Sequence, residues 1–229
     1  MCCLFGIYDY AGNLSRKQKT KILSVLSVAC EERGTDATGI AYNAGGLKIY
    51  KRPLPAHLMW FRVYEDTKVV MGHTRMTTQG SERFNANNHP FTGKAGETSF
   101  ALAHNGVLTN DKLLRKEHGL PTTRIETDSY VAAQILETAS EVSFATLADM
   151  AEMLEGSFTI TVITDKDELF FVKGNNPMCI YYYEKSGVFI YASTESILKN
   201  AIRQIPVKLG RATKIRIDSG EILKIDAEG

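Results

Sequence analysis

The sequence predicts an α+β domain. Strand-like segments cluster toward both ends of the chain, helical periodicities group between them, and no regular strand–helix–strand alternation calls for a parallel sheet. Residues 4–8 read as a short strand, and Ala11-Gly12-Asn13 as the turn after it. Ser15 with Gln18 three residues on forms a capping box, and Ile22, Leu26, Ala29 and Cys30 recur at helical spacing until Arg33-Gly34 ends the run. Residues 38–43 and 47–52, split by Ala44-Gly45-Gly46, predict a hairpin. Residues 68–71 start a strand that leads into Gly72-His73-Thr74-Arg75, and residues 77–96, rich in Gly, Asn, Ser, Thr and Pro, read as one long loop of the kind that carries function.

Residues 100–103 predict a strand ending on His104-Asn105-Gly106, followed by helices over 111–117, 128–138 and 144–154. The last third is mostly strands, at 158–164, 169–172, 179–183 and 188–192, with a helix over 194–202. Residues 215–217 and 221–225 predict a closing hairpin around Ser219-Gly220. No repeat, low-complexity segment or linker interrupts the chain, so residues 1–229 are expected to form a single domain.

Lys and Arg together number 27 against 26 Asp and Glu, a net charge of +1, and this balance carries no electrostatic footprint for nucleic acid or an anionic membrane. A small-molecule substrate is the expectation. No apolar run is long enough to span a bilayer, and the first residues lack the basic and apolar regions of a secretory signal, which predicts a cytoplasmic protein. The four cysteines, Cys2, Cys3, Cys30 and Cys179, show neither zinc-knuckle nor disulfide spacing, and Cys30 and Cys179 fall in apolar periodic stretches as small buried hydrophobes.

Cys2 differs because it follows the initiator methionine. Removal of Met1 leaves a thiol on the residue that also bears the free α-amino group, whose pKa of about 7.7–8.0 makes it a built-in base. A cysteine near a terminus is otherwise just a packed side chain.

Seven segments in order, Cys2 to Gly6, Arg33-Gly34-Thr35-Asp36-Ala37-Thr38-Gly39-Ile40, Gly72-His73-Thr74-Arg75 to Gly80, Asn88-His89-Pro90, His104-Asn105-Gly106, Glu126-Thr127-Asp128 and Glu155-Gly156-Ser157-Phe158, span nearly the whole chain. The set resembles the glutaminase domain of class II glutamine amidotransferases, the group that includes glucosamine-6-phosphate synthase and amidophosphoribosyltransferase. The resemblance implies a four-layer αββα sandwich of N-terminal-nucleophile (Ntn) hydrolase type, two antiparallel sheets between helical layers, with Cys2 as nucleophile and its α-amine as base. It implies no cofactor.

By the same resemblance Asn105 and Gly106 form the oxyanion hole, where two donors face the oxygen that gains charge. Read alone, Asn-Gly is equally a hairpin turn. Arg75 takes the α-carboxylate of glutamine and Asp128 its α-ammonium, whereas outside the motifs they would read as a surface pair. Thr78 and Gln79 line the pocket, Arg33 and Asp36 support the nucleophile from behind, and Asn110 reads as a helix cap. His73, His89 and His104 lie in motifs that bind no metal in the family, so no metal is expected. Two departures stand out: Met76 where the synthase has tryptophan, and Cys3 where biosynthetic members have glycine, its side chain pointing away from Cys2 in a strand.

No phosphosugar half or phosphate-binding loop accompanies these motifs. Three readings stay open: a glutaminase that passes ammonia to a separate synthase subunit, a stand-alone γ-glutamyl amide hydrolase, and a non-catalytic glutamine-binding regulatory module.

Overall fold

The computed structural model describes residues 2–227. The chain runs β1 (Cys3–Asp9), α1 (Arg16–Ala29), β2 (Ala37–Asn43), β3 (Leu47–Arg52), β4 (Val69–Arg75), β5 (Phe91–Ala95) and β6 (Thr98–Leu108). It continues with α2 (Asp111–Glu117), α3 (Tyr130–Glu137), α4 (Phe144–Met153), β7 (Gly156–Thr164), β8 (Leu169–Val172), β9 (Cys179–Tyr183), β10 (Val188–Ala192), α5 (Glu195–Gln204), β11 (Thr213–Ile215) and β12 (Ile222–Ile225). Two antiparallel sheets result, one ordered β11-β9-β10-β1-β4-β2-β3 and the other β12-β8-β7-β6-β5.

Three apolar layers hold four structural layers together. Alternate residues of β1 divide between two of them: Cys3, Phe5 and Ile7 pack under α1 and α5 with Leu23, Leu26 and Leu198, while Leu4 and Tyr8 meet the second sheet through Ala101, Ala103, Ile163 and Phe171. The third layer joins the outer face of the second sheet, through Phe100, Leu102, Ile160 and Val162, to α3 and α4. This is the αββα sandwich that the resemblance implies. Burial on both faces explains why β1 reads as a near-continuous apolar run, and each fully buried Phe or Leu contributes about 1.5–3 kcal/mol.

The Ser15–Gln18 capping box is present at the start of α1, and the 38–52 hairpin forms with Thr38 opposite Arg52. Four expectations are corrected. The segment read as one long loop contains β5, which pairs with β6 as the edge of the second sheet; Phe91 and Ala95 are buried while Thr92 and Lys94 are exposed, an alternation that the surrounding polar residues masked. The strand ending at Ala103 continues through Asn105-Gly106 to Leu108, paired along its length with β7, so Asn-Gly is not a turn. The closing hairpin does not form: β11 pairs with β9 and β12 with β8, in different sheets, because each completes an edge that would otherwise be unpaired. The third helix also starts later than expected, at Tyr130, which leaves Asp128 in the preceding turn.

A buried ion pair ties the end of β1 to α1. Asp9 and Lys19 are 0% and 1% exposed and 3.2 Å apart. Asp9 accepts from the Asn13 and Leu14 N–H groups, and Lys19 donates to the Glu65 and Thr67 carbonyls. Lys19→Met is expected to destabilise the domain by about 3–5 kcal/mol, because it strands a buried carboxylate; Asp9→Asn/Lys19→Met should recover part of that loss in urea unfolding.

Candidate active site

One end of the sandwich collects the motifs. Cys2 precedes β1, Arg75 ends β4, Ala37 begins β2 opposite Arg75, and Asn105-Gly106 lies near the end of β6. The Ser193 hydroxyl joins the two sheets there: it accepts from the Leu4 N–H at 2.8 Å and faces the Asn105 carboxamide nitrogen at 3.4 Å.

The Cys2 thiol is buried, with Sγ 3.6 Å from the Met76 carbonyl. Burial pushes its pKa above the ordinary thiol value, with Asp128 acting in the same direction and Arg75 against it. A thiol held protonated in this way requires a base at the moment of attack. Met1, whose removal would expose the α-amine, lies outside the described residues. Cys3 points the other way, into the helix-facing core, where its Sγ lies 3.0 Å from that of Cys30; all four cysteines are free and buried.

The Arg33–Asp36 segment braces the nucleophile and the strand beside it. Arg33 Nε donates to the Cys2 carbonyl at 2.8 Å. A Cβ on Gly34 would run into the backbone of Arg75 and Met76, so only glycine lets the segment approach so closely. Asp36 then donates its N–H to the Arg75 carbonyl at 2.9 Å and accepts from the Thr77 N–H at 2.7 Å.

Arg75 is buried, and its guanidinium donates Nη1 to Asn88 Oδ1 at 2.7 Å and Nη2 to the Gln79 and Gly80 carbonyls at 2.6 and 2.8 Å. Gln79 therefore faces Arg75 with its main chain, while its side chain reaches the Glu126 carbonyl at 2.8 Å. Thr78 and Met76 are exposed on the same loop.

Asp128 accepts the Leu108 N–H at 2.6 Å, which ties it to the strand that carries Asn105 and Gly106. Its charge is within electrostatic reach of both the Cys2 thiol and Arg75. Asn105 is 1% exposed, and its Oδ1 has no partner among the described residues. Gly106 presses against the Ser157 carbonyl, leaving no room for a side chain. Asn110 stands at the N-cap position of α2 but makes no capping bond; it donates to the Met153 carbonyl and accepts from the Glu155 N–H instead.

Beneath this layer lie three neutral histidines. His73 Nε2 donates to the His104 carbonyl at 3.0 Å, His89 stacks on His73 at 4.1 Å between ring centroids, and His104 Nδ1 lies in hydrogen-bond contact with the Ser129 hydroxyl at 2.7 Å. Burial lowers all three pKa values, that of His73 to about 3. Neither ring nitrogen of His89 has a partner among the described residues, and no cluster of three or more His, Cys, Asp or Glu there could hold a metal.

Sequence reasoning left two contributors without a role. Asn88 lies within a motif, but nothing in the sequence marks its contact with Arg75. Ser193 lies 189 residues from Leu4 in sequence, with no motif to mark it.

A glutamine amidotransferase domain model matches residues 73–200, the stretch that carries Arg75, Asn105, Gly106 and Asp128. The chain belongs to the glutamine amidotransferase domain family. It is 31% identical over 192 residues to glutamine–fructose-6-phosphate aminotransferase (isomerizing) of Staphylococcus epidermidis, covering 79% of this chain and 30% of that one. The Bacillus cereus protein of the same name is 31% identical over 185 residues, covering 76% and 30%. This amidotransferase domain thus spans 30% of the length of these curated relatives. The fold matches the allosteric regulatory enzyme of purine biosynthesis with a TM-score of 0.77 at 22% identity, and glutamine phosphoribosylpyrophosphate amidotransferase from B. subtilis with 0.73 at 22%; each match covers all of this chain and 48% of the other. A structure described as a predicted glutamine amidotransferase from Pseudomonas aeruginosa matches at 0.52 and 17% identity over 94% of its length. The class II, Ntn-hydrolase resemblance read from the motifs is borne out, and the amidotransferase domain is homologous to enzymes of that class. No helix among the described residues is long and apolar enough to cross a membrane.

The buried histidines set an acid limit on stability. Each titrates near 6.5 when unfolded and lower when folded, so the unfolded chain takes up more protons as pH falls below about 6.5. Stability is expected to fall from there downward, by about 1.4 kcal/mol per pH unit for each fully titrating histidine. His89→Phe should leave a shallower slope between pH 6.5 and 5 in urea midpoints; an unchanged slope would show that His89 is not neutral in the fold.

Proposed function

We propose that this domain hydrolyses the side-chain amide of glutamine to glutamate and ammonia through a thioester on Cys2. The observation that carries the reading is the convergence, within electrostatic reach of one buried thiol, of a cation on β4 and an anion before α3, Arg75 and Asp128. A site with one fixed positive and one fixed negative group beside a nucleophile suits an amino acid zwitterion. Arg75 takes the α-carboxylate, for which a guanidinium offers parallel donors, and Asp128 takes the α-ammonium.

The α-amine of Cys2 removes the thiol proton as Sγ attacks the δ-carbon of the amide. The carbonyl oxygen gains the charge and is met by the Asn105 carboxamide and the Gly106 N–H; one such donor is worth about 2.7–4 kcal/mol in the transition state. The proton returns to the leaving nitrogen, ammonia departs, and a thioester remains. Water, activated by the same amine, releases glutamate and regenerates the thiol. Arg33, Asp36, His73 and His89 keep these groups in register without touching the substrate. Gln79 and Thr78 border the carboxylate end.

The ammonia passes to a separate synthase subunit. The fructose-6-phosphate aminotransferases that match this chain are more than three times as long as the matched segment, which supports a nitrogen acceptor outside it. Ammonia release from glutamine, asparagine and γ-glutamyl amides, with and without cell extract, tests this; a preference for γ-glutamyl amides with no activation by extract would favour a stand-alone amidase.

Cys2→Ala is expected to abolish ammonia release while glutamine binding stays measurable by calorimetry, and retained turnover would remove the nucleophile assignment. Arg75→Ala and Asp128→Asn should weaken substrate capture by about 1.5–3 kcal/mol, seen chiefly as a higher KM. A fall confined to kcat would instead put them at the reacting end.

A further inference from the structure

Lys51 is an ammonium with no carboxylate partner among the described residues. It projects from β3, the edge strand, and donates Nζ to the main-chain carbonyls of Asn88 at 2.5 Å and Pro90 at 3.0 Å, over the face of the Phe91 ring at 5.2 Å. The Asn85 carboxamide closes the arrangement by donating to the Lys51 carbonyl at 3.0 Å. Burial, with Arg75 nearby, lowers the Lys51 pKa to about 8. A cation kept at that expense beside another cation serves the carbonyls it holds.

One of those carbonyls is the main chain of Asn88 itself, whose side chain accepts from Arg75. The Asn88 carboxamide is satisfied on both ends: Oδ1 accepts from Arg75 Nη1, and Nδ2 donates to the Glu82 carbonyl at 2.8 Å and Asn85 Oδ1 at 3.2 Å. Its orientation is thereby settled, since only the oxygen can face a guanidinium. We propose that Lys51 is a positioning residue for the substrate carboxylate: by clamping the main chain at Asn88 and Pro90, it sets the Asn88 side chain that aims the Arg75 guanidinium. The inference rests on Arg75 receiving the α-carboxylate of glutamine.

Such a role separates from general structural support by its substrate dependence. Lys51→Met is expected to raise the KM for glutamine about ten-fold with kcat within about two-fold of the parent, and Lys51→Arg to restore most of the loss. With 4-aminobutanamide, which is glutamine without its α-carboxylate, parent and Lys51→Met should show equal kcat/KM. Asn88→Ala should show the same split, and Lys51→Met/Asn88→Ala should be no worse than Asn88→Ala alone. Equal losses on both substrates, additive losses in the double variant, or an unchanged glutamine KM would each overturn the proposal. If the parent releases no ammonia, it is the reaction that has been misread. Glutamine affinity by calorimetry in the Cys2→Ala background then decides the inference separately, through a Kd about ten-fold weaker with Lys51→Met or an unchanged one.

Discussion

Everything at the active end depends on β1 being paired on both edges and buried on both faces. Its register is set against β4, with Cys3 opposite Thr74, and against β10, with Phe5 opposite Ala192. A strand so enclosed cannot slip by one residue without exchanging its two apolar sets between the helix-facing core and the inter-sheet core. Cys2 inherits that certainty although it stands one residue outside the strand. Termini normally fray, and a reactive group at a terminus needs this kind of anchorage before geometry around it means anything.

The same pairing lets distant segments meet. Opposite β1, strand β4 delivers Arg75 and the main chain of Met76 and Thr77, and the Arg33–Asp36 segment grips both sides at once, holding the Cys2 carbonyl and the Thr77 N–H. The second sheet arrives through β6, and the Ser193 hydroxyl stitches it to β1. Charge placement follows from topology: one cation comes from the first sheet and one anion from the turn before α3, fixed to the second sheet by the Leu108 N–H.

Much of this was legible in the sequence, for identifiable reasons. Segments with their own periodicity, such as α1 with its capping box or the strands at 169–192, declare themselves locally. The closing strands did not, because Ser219-Gly220 offers local hairpin chemistry while the unpaired edges of β9 and β8 offer a larger gain at long range. Strand β5 hid within a polar stretch because an edge strand needs only its inward residues, Phe91 and Ala95, to be apolar. Among the candidate site residues, those in motifs were found by resemblance; Lys51 and Ser193 were not, since a lysine on a strand or a serine after one has no local mark of its contacts.

Arg75 shows how the site handles a buried charge before any ligand arrives. Its three donated bonds go to neutral oxygens, one from the buried Asn88 side chain and two from the partly exposed Gln79–Gly80 main chain. These partners are not equivalent. Asn88 is held by Glu82, Asn85 and Lys51, whereas the two loop carbonyls belong to a segment whose neighbours Met76 and Thr78 face solvent. On the proposed reading, an incoming carboxylate exchanges with the loop carbonyls on Nη2 and leaves the Asn88 bond on Nη1 intact, because a carboxylate sets a full opposite charge against the guanidinium where the carbonyls offer only a dipole, and Asn88 is held by further contacts of its own. The guanidinium then turns about a fixed point. Substrate binding and release of the Gln79 and Gly80 carbonyls are then one exchange on Nη2, while Asp36 keeps the start of the loop in place through the Thr77 N–H.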